Sequence, residues 1–364
     1  MKIKSNIFCL ILIIAYFIFS SILYAKKILL TGGAGFIGSH VAQKLLERGD
    51  TLIIVDNMNN AYDLRIKEYN LSLVAASDFN DRLSVYAIDI CNRDAIEQLC
   101  ESEKIDVICH LAARAGVRAS IDDPQEYFRT NNIGTLILCE AARKHGIKHI
   151  VLASSSSVYG VREDGPFYEN DSVDRQSSPY GATKRSGELL AYVYYYLYGI
   201  SITNLRFFTV YGPRGRTDMA PFIFMDAIYN NRIIKVYGDG SAIRDFTYID
   251  DIVYGILKAI DTPLGYEIVN IGRGEPIILS DFIVAMENIM REKAHINYVD
   301  VFSGDVPKTH AGIEKARQLF DYIPKVSVQQ GLEHMYNWYK NEYLLLVGPT
   351  KKNGSDVEVL ACDY

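Results

Sequence analysis

The sequence predicts an α/β fold: a doubly wound parallel sheet with helices on both faces and a smaller C-terminal lobe. Three observations carry this. Short β-rich runs alternate with helical runs from Lys27 to Phe207. The strand runs are apolar almost throughout, as in the LIIV of residues 52–55, which is the pattern of strands covered on both faces. A glycine-rich turn follows the first run directly. Strand–helix alternation of this kind reads as repeated βαβ units.

In chain order, strands are predicted at 27–31, 51–56, 83–88, 107–111, 149–154 and 201–207. Helices are predicted at 38–48, 93–101, 124–145 and 179–198, the last ending in the tyrosine-rich stretch 192–198, read as a packed helix face. Beyond Phe207, Gly/Pro signals at 212–215, 238–240 and 272–276 punctuate shorter elements, as expected of a lobe that closes over a site. The division expected is a nucleotide-binding domain over 27–206, which also receives a segment near 243–271, a lobe over 207–345, and a flexible tail over 346–364.

The 364 residues suit one large α/β domain with an appended lobe, and 49% apolar residues supply a large core. A net charge of -6 argues against a nucleic-acid-binding surface, which needs clustered Lys and Arg. The 6 cysteines form no CxxC pair and read as buried thiols, not as a metal site or disulfide framework. Residues 1–25 differ from the rest. Lys2 and Lys4 precede an apolar run over 7–24 whose helical length, ~27 Å, just matches a bilayer core. The favoured reading is a single membrane anchor with the remaining chain on the cytoplasmic side. A signal peptide cleaved after Ala25 and a misassigned start codon are the alternatives.

Gly32, Gly35 and Gly38 enclose Phe36 and Ile37 in a GxxGxxG turn between the first strand and first helix. Such glycines let the backbone approach a pyrophosphate, which sits on the free N–H groups and positive end of the helix. Asp56 ends the second strand, where a carboxylate can bind both hydroxyls of an adenosine ribose and repel a 2′-phosphate, so NAD is predicted over NADP. Asp89 and Ile90, ending the third strand, fall within reach of the adenine, although Asp89 alone reads nearly as well as a surface turn residue.

Tyr180 and Lys184 share one helix face. An ammonium and a positive nicotinamide ring beside a phenol lower its pKa, and bringing it from ~10 to about 7 takes ~4 kcal/mol. Ser154 to Ser157 end the fifth strand at the edge where an open α/β sheet binds ligands, so their hydroxyls can bond a sugar oxygen.

The ordered motifs TGGAGFIGSH, HLAARAG, NNIGT, SSSSVYG, YGATK and DFTYIDD resemble the extended short-chain dehydrogenase/reductase family of NAD-dependent epimerases and dehydratases, from Lys27 to about Tyr343. The resemblance implies a Rossmann-type fold, bound NAD, and Tyr180 as base. It makes Lys184 the electrostatic partner and ribose ligand, Ser155 a substrate-bonding hydroxyl and Asn131 a support, and it places Leu111, Ala112 and Ala113 against the cofactor. Family dehydratases and decarboxylases carry acids where Ser156 and Ser157 stand, so the resemblance implies C4 epimerisation of a nucleotide sugar with no further step.

The run from Phe207 to Pro221 is similar to the UDP-glucuronate 4-epimerases. That similarity implies Arg216 as a fork for the C6 carboxylate, helped by Thr209, Ser156 and Ser157, with Arg244 at the UDP diphosphate and Asp305 near the uridine ribose. It also implies a homodimer pairing helices near 124–145 and 179–198. Thr217, Phe302 and the stretch Thr309 to Gly312 depart from the pattern, chiefly where the nucleotide is held. A neutral UDP-hexose or N-acetylhexosamine epimerase, and an inactive tethered NAD-binding scaffold, are the alternative readings.

Overall fold

The structure, a computed structural model, describes residues 25–78, 81–302 and 304–348. The apolar run over 7–24 and the end of the chain from 349 lie outside the described residues. Among the described residues no helix is long and apolar enough to cross a membrane.

Strands β1 (Lys27–Thr31), β2 (Thr51–Asp56), β3 (Leu83–Ala87), β4 (Val107–His110), β5 (His149–Ser155) and β6 (Ser201–Phe207) are joined by Tyr266–Ile271 in one seven-stranded sheet. Every pairing is parallel. The order is β3-β2-β1-β4-β5-β6 followed by Tyr266–Ile271, so the winding reverses between β1 and β4. Such a reversal opens a crevice beyond the carboxyl ends of the strands.

The continuous apolar runs have a direct cause. Ile28 and Leu30 of β1 point into one core with Val41 and Leu45 of the first helix. Leu29 points into the opposite core with Ile53, Ile108 and Leu138. With both faces covered, no polar position is left to alternate.

The predicted helices are present, with informative differences. The first runs over Phe36–Arg48, two residues earlier than predicted, because Gly35 takes the N-cap with φ -74° and ψ 177°. The long helix predicted over 124–145 is interrupted. Pro124–Phe128 and Gly134–His145 flank a π-helical turn, Arg129–Ile133, of the kind often found at functional sites. Within residues 27–207 two helices were not predicted, Leu64–Ala76 and Val117–Asp122. The first begins at Asp63, whose side chain accepts the Arg65 N–H.

The expectation of a packed tyrosine face at 192–198 is overturned. Tyr192, Val193, Tyr195, Tyr196, Leu197 and Tyr198 are exposed, Tyr196 at 73%, and Tyr194 is buried. The helix Pro179–Tyr198 turns Gly187, Ala191 and Tyr194 inward, and on its outer side Tyr192 and Tyr195 reach only as far as the Tyr266 ring, at 5.2 and 6.2 Å between centres. The described cysteines are free thiols, with Cys100, Cys109 and Cys139 buried.

Behind β5 and β6 the helix Pro179–Tyr198 is anchored by charge. Arg206 Nε and Nη2 donate to the two Glu188 oxygens at 2.8 and 2.9 Å, and Ser154 Oγ donates to Glu188 at 2.7 Å. Arg206 and Glu188 side chains are 1% and 0% exposed.

The lobe is built on the helix Ala220–Tyr229, buried along nearly its whole length, with Leu279–Met290 and Val328–Trp338 packed around it. Phe222 meets the rings of Trp338, Tyr339 and Tyr343. The chain returns to the sheet through the helix Ile249–Asp261, which lies against the first helix, and through Tyr266–Ile271. The short strand Ile243–Arg244 pairs instead within the lobe, with Ile277–Ile278.

Candidate active site

A cavity of about 480 Å³ occupies the crevice between the sheet edge and the lobe. Its size is that of a ligand site. Of the residues predicted to form the site, all but Asp89 and Asn131 line it.

At one end stands the glycine turn. Gly32 has φ +73°, and a Cβ there would lie 2.8 Å from the Ala112 nitrogen. A Cβ on Gly38 would lie 2.1 Å from the Gly32 carbonyl oxygen. The turn is therefore closed against Leu111 and Ala112 with room for backbone alone. Gly35, Phe36 and Ile37 face the cavity, as a diphosphate cradle requires.

Asp56 stands where a ribose would lie, but it is already engaged. Oδ2 accepts the Ala34 N–H at 3.2 Å, and Oδ1 accepts the Met58 N–H at 2.9 Å and Lys67 Nζ at 3.2 Å. Lys67 comes from the unpredicted helix Leu64–Ala76, and its side chain is only 5% exposed. Asp56 was read as a ligand of both ribose hydroxyls, and it shares that position with Lys67. Lys67 takes part of its hydrogen-bonding capacity and places a cation at the same spot. Ile88, Ile90, Leu111, Ala112 and Ala113 supply the apolar wall.

The Asp89 carboxylate accepts the Cys91 N–H at 2.8 Å and pairs with Arg129 at 3.0 Å, just outside the cavity wall formed by Ile88 and Ile90. The turn after β3 closes on the π-helical Arg129, a neighbour forty positions away that no local pattern reveals. Asn131 likewise lies behind the wall. Its side chain bonds both the N–H and the C=O of Arg114, at 2.8 and 2.9 Å, and reaches Thr183 Oγ1 at 2.9 Å. It braces the loop after β4 against the helix of Tyr180, which fits the support implied for it.

Tyr180, Lys184 and Ser155 meet at the centre. Lys184 Nζ donates to the Ala153 carbonyl at 2.8 Å and lies 6.0 Å from the centre of the Tyr180 ring. Burial lowers the lysine to about 8, partly offset by Glu188. Burial raises the Tyr180 phenol, while the Ser155 hydroxyl and the Arg216 charge pull it back. Lys184, tied to a carbonyl beside the ring, and Arg216 are thus both cations near the phenol.

Ser156 and Ser157 lie in the tight turn Ser156–Tyr159, with the Ser157 N–H donating to Ser155 Oγ at 3.1 Å. With Thr209 they line the middle of the cavity, and this turn presents no carboxylate to it. Arg216 lines the same region, but its fork is held: Nε and Nη2 donate to the two Asp218 oxygens at 3.0 and 2.5 Å.

Arg244 and Asp305 line the far end. Arg244 Nη1 donates to the Ile243 carbonyl at 2.9 Å. Asp305 pairs at 2.8 Å with Arg118, whose guanidinium lies 3.7 Å over the Tyr237 ring. Arg118, Tyr62 and Lys67 were missed by the sequence reading. Arg118 lay two residues past the HLAARAG motif. Tyr62 and Lys67 lay in a stretch assigned no element.

The family model for the NAD dependent epimerase/dehydratase family matches residues 28–272. The chain belongs to that family. Its relatives include the UDP-glucuronate 4-epimerase of Thermodesulfobacterium geofontis, 44% identical over 319 residues, covering 87% of this chain and 97% of the relative. Among solved structures it is similar to the UDP-glucuronic acid 4-epimerase of Bacillus cereus in complex with UDP-glucuronic acid and NAD. That match has a TM-score of 0.81 and 38% identity, and covers 86% of this chain and 99% of the other. The UDP-glucose 4-epimerase of Thermotoga maritima matches with a TM-score of 0.77 and 30% identity, over 87% and 99% of the two chains.

Proposed function

We propose that this family member is an NAD-dependent nucleotide-sugar 4-epimerase acting on UDP-glucuronate through a 4-keto intermediate. The carrying observation is the meeting of Tyr180, Lys184 and Ser155 at the sheet's reversal point, between a dinucleotide cradle and a polar pocket, with serines alone presented by the turn that follows β5. A second step, such as loss of water, needs an acid or base from that turn, and none is there.

Bound NAD would lie along Gly32, Gly35, Phe36, Ile37 and Gly38, with Asp56 and Lys67 at its adenosine ribose, and would supply the reversible two-electron acceptor. Tyr180 takes the proton of the C4 hydroxyl as the carbon is oxidised and returns it as the carbonyl is reduced from the other face. Ser155 holds the same oxygen, and Lys184 stabilises the transient phenolate. Arg244 and Asp305 hold the nucleotide while the sugar turns over, with Arg118 fixing Asp305 from behind.

Arg216, Thr209, Ser156 and Ser157 line one region of the cavity, and a cation among hydroxyls suits a C6 carboxylate. A neutral UDP-hexose is the second reading, favoured by the Arg216–Asp218 pair, which already balances that cation. Product identification with UDP-glucuronate, UDP-glucose and UDP-N-acetylglucosamine separates them. For Arg216→Ala the expected result is a KM for UDP-glucuronate raised ~10- to 100-fold, with more of the decarboxylated pentose. Unchanged KM and unchanged product ratio would remove Arg216 from carboxylate recognition.

The partner proposed for the exposed helix face is a second copy of the chain. Leu189, Tyr192, Val193 and Tyr196 form one stripe on the helix Pro179–Tyr198, and Phe128, Ile133 and Leu136 are exposed on the neighbouring helical run. A two-fold axis across such a face buries both stripes at once. Leu189→Glu is expected to convert a dimer to a monomer in sedimentation velocity. An unchanged sedimentation coefficient would reject this face. Attachment to a membrane through the apolar run 7–24 is part of the same reading and is supported by the sequence alone.

A further inference from the structure

The loop between β2 and the helix Leu64–Ala76 carries a side chain that neither the fold nor the chemistry described above uses. Tyr62 lines the cavity beside the glycine turn. Its hydroxyl oxygen is buried and, among the described residues, has no hydrogen-bond partner of good geometry. A Cβ placed on Gly35 would lie 3.8 Å from that oxygen, so the hydroxyl stands over the open part of the turn. The Phe36 N–H, at the start of the first helix, acts on the same oxygen. Lys67 Nζ lies 5.6 Å from the centre of the tyrosine ring while it also holds Asp56, which fixes the ring between the ribose position and the turn.

Physical chemistry makes this placement informative. A buried hydroxyl without a partner is costly, and its removal alone is close to neutral or favourable. Keeping one at a ligand site is explained when the ligand supplies the acceptor. Burial raises this phenol above its ordinary value, so it stays protonated and can only gain by donating. What lies across from it are the glycine turn and the first N–H groups of a helix, a position suited to an anion.

We propose that the Tyr62 hydroxyl donates a hydrogen bond to the diphosphate of NAD, making the loop over residues 57–63 a clasp that retains the cofactor between turnovers. The proposal rests on the cofactor reading above and adds to it a residue from outside the glycine turn. Retention suits an enzyme that reoxidises its own cofactor in every cycle and gains nothing by releasing it.

The test is binding measured without sugar, on full-length wild type and Tyr62→Phe stripped of cofactor. NAD and adenosine are titrated by calorimetry, and NAD released on denaturation of unstripped protein is counted by chromatography. For Tyr62→Phe, NAD affinity is expected to fall ~10- to 100-fold, the loss of one hydrogen bond to a charged group, while adenosine, which has no diphosphate, binds as to wild type. The stripped variant should melt no lower than stripped wild type, since it loses a hydroxyl without a partner. Wild-type NAD affinity in Tyr62→Phe overturns this inference alone. An equal loss for NAD and adenosine also overturns it, because it points to a displaced loop. A wild-type chain that binds no NAD overturns the cofactor reading and the clasp together.

Discussion

Tyr180→Phe is expected to lower turnover of UDP-glucuronate by ~10²- to 10⁴-fold, the usual contribution of a positioned acid–base group. The fold should survive. The ring keeps its edge contact with Tyr127, at 6.2 Å between centres, and loses one hydroxyl. NAD content should also survive, because the glycine turn, Asp56 and Lys67 are untouched. Steady-state kinetics with product identification, alongside cofactor counting, checks both parts. Turnover within threefold of wild type would remove Tyr180 from the chemistry. A variant that is inactive only because it has lost NAD would make the residue a cofactor support instead. Burial holds this phenol above its ordinary value, so the phenolate must be stabilised as the reaction proceeds by groups near it: Ser155, Arg216 and Lys184.

The second large effect is on stability. Arg206→Ala is expected to destabilise the protein by ~3–5 kcal/mol, the cost of removing one partner from a buried ion pair. Glu188 would keep Ser154 and Arg185 as partners, at 2.7 and 3.1 Å, but lose both short bonds from Arg206 inside the core. Denaturant titration followed by circular dichroism measures the loss. The double variant Arg206→Met with Glu188→Leu should recover most of it, because replacing both charges removes their desolvation cost together. A single variant as stable as wild type would show that water or another cation reaches Glu188. Glu188 also offsets the burial that lowers Lys184, so this pair links the anchoring of the helix to the electrostatics of the site.

The division between what was legible in the sequence and what was not follows from the range of each interaction. The strand–helix alternation, the glycine turn and the Tyr180–Lys184 spacing depend on neighbours within a few residues. They emerged at the predicted positions because the rules behind them, side-chain period and free helix N–H groups, act locally. Gly38 illustrates the limit of that success. Its spacing was readable, but the reason a side chain is excluded, a carbonyl 2.1 Å from any Cβ, is a fact of three dimensions.

Other features depended on residues far along the chain. Asp89 was read from its strand-end position alone, and its partner Arg129 lies far along the chain. Asp56 was read from its strand-end position, and a helix that the sequence reading did not assign brings Lys67 to it. The tyrosines of 192–198 were read as packed because aromatic residues are usually covered. Whether they are covered depends on which elements fold against that side of the helix, and among the described residues only Tyr266 reaches Tyr192 and Tyr195, which stay exposed. Backbone geometry and hydrophobic period are properties of short segments and can be read from them. Charge pairing and exposure belong to whatever the folded chain brings alongside, so at this site they became visible when the sheet, the unpredicted helix and the lobe had met.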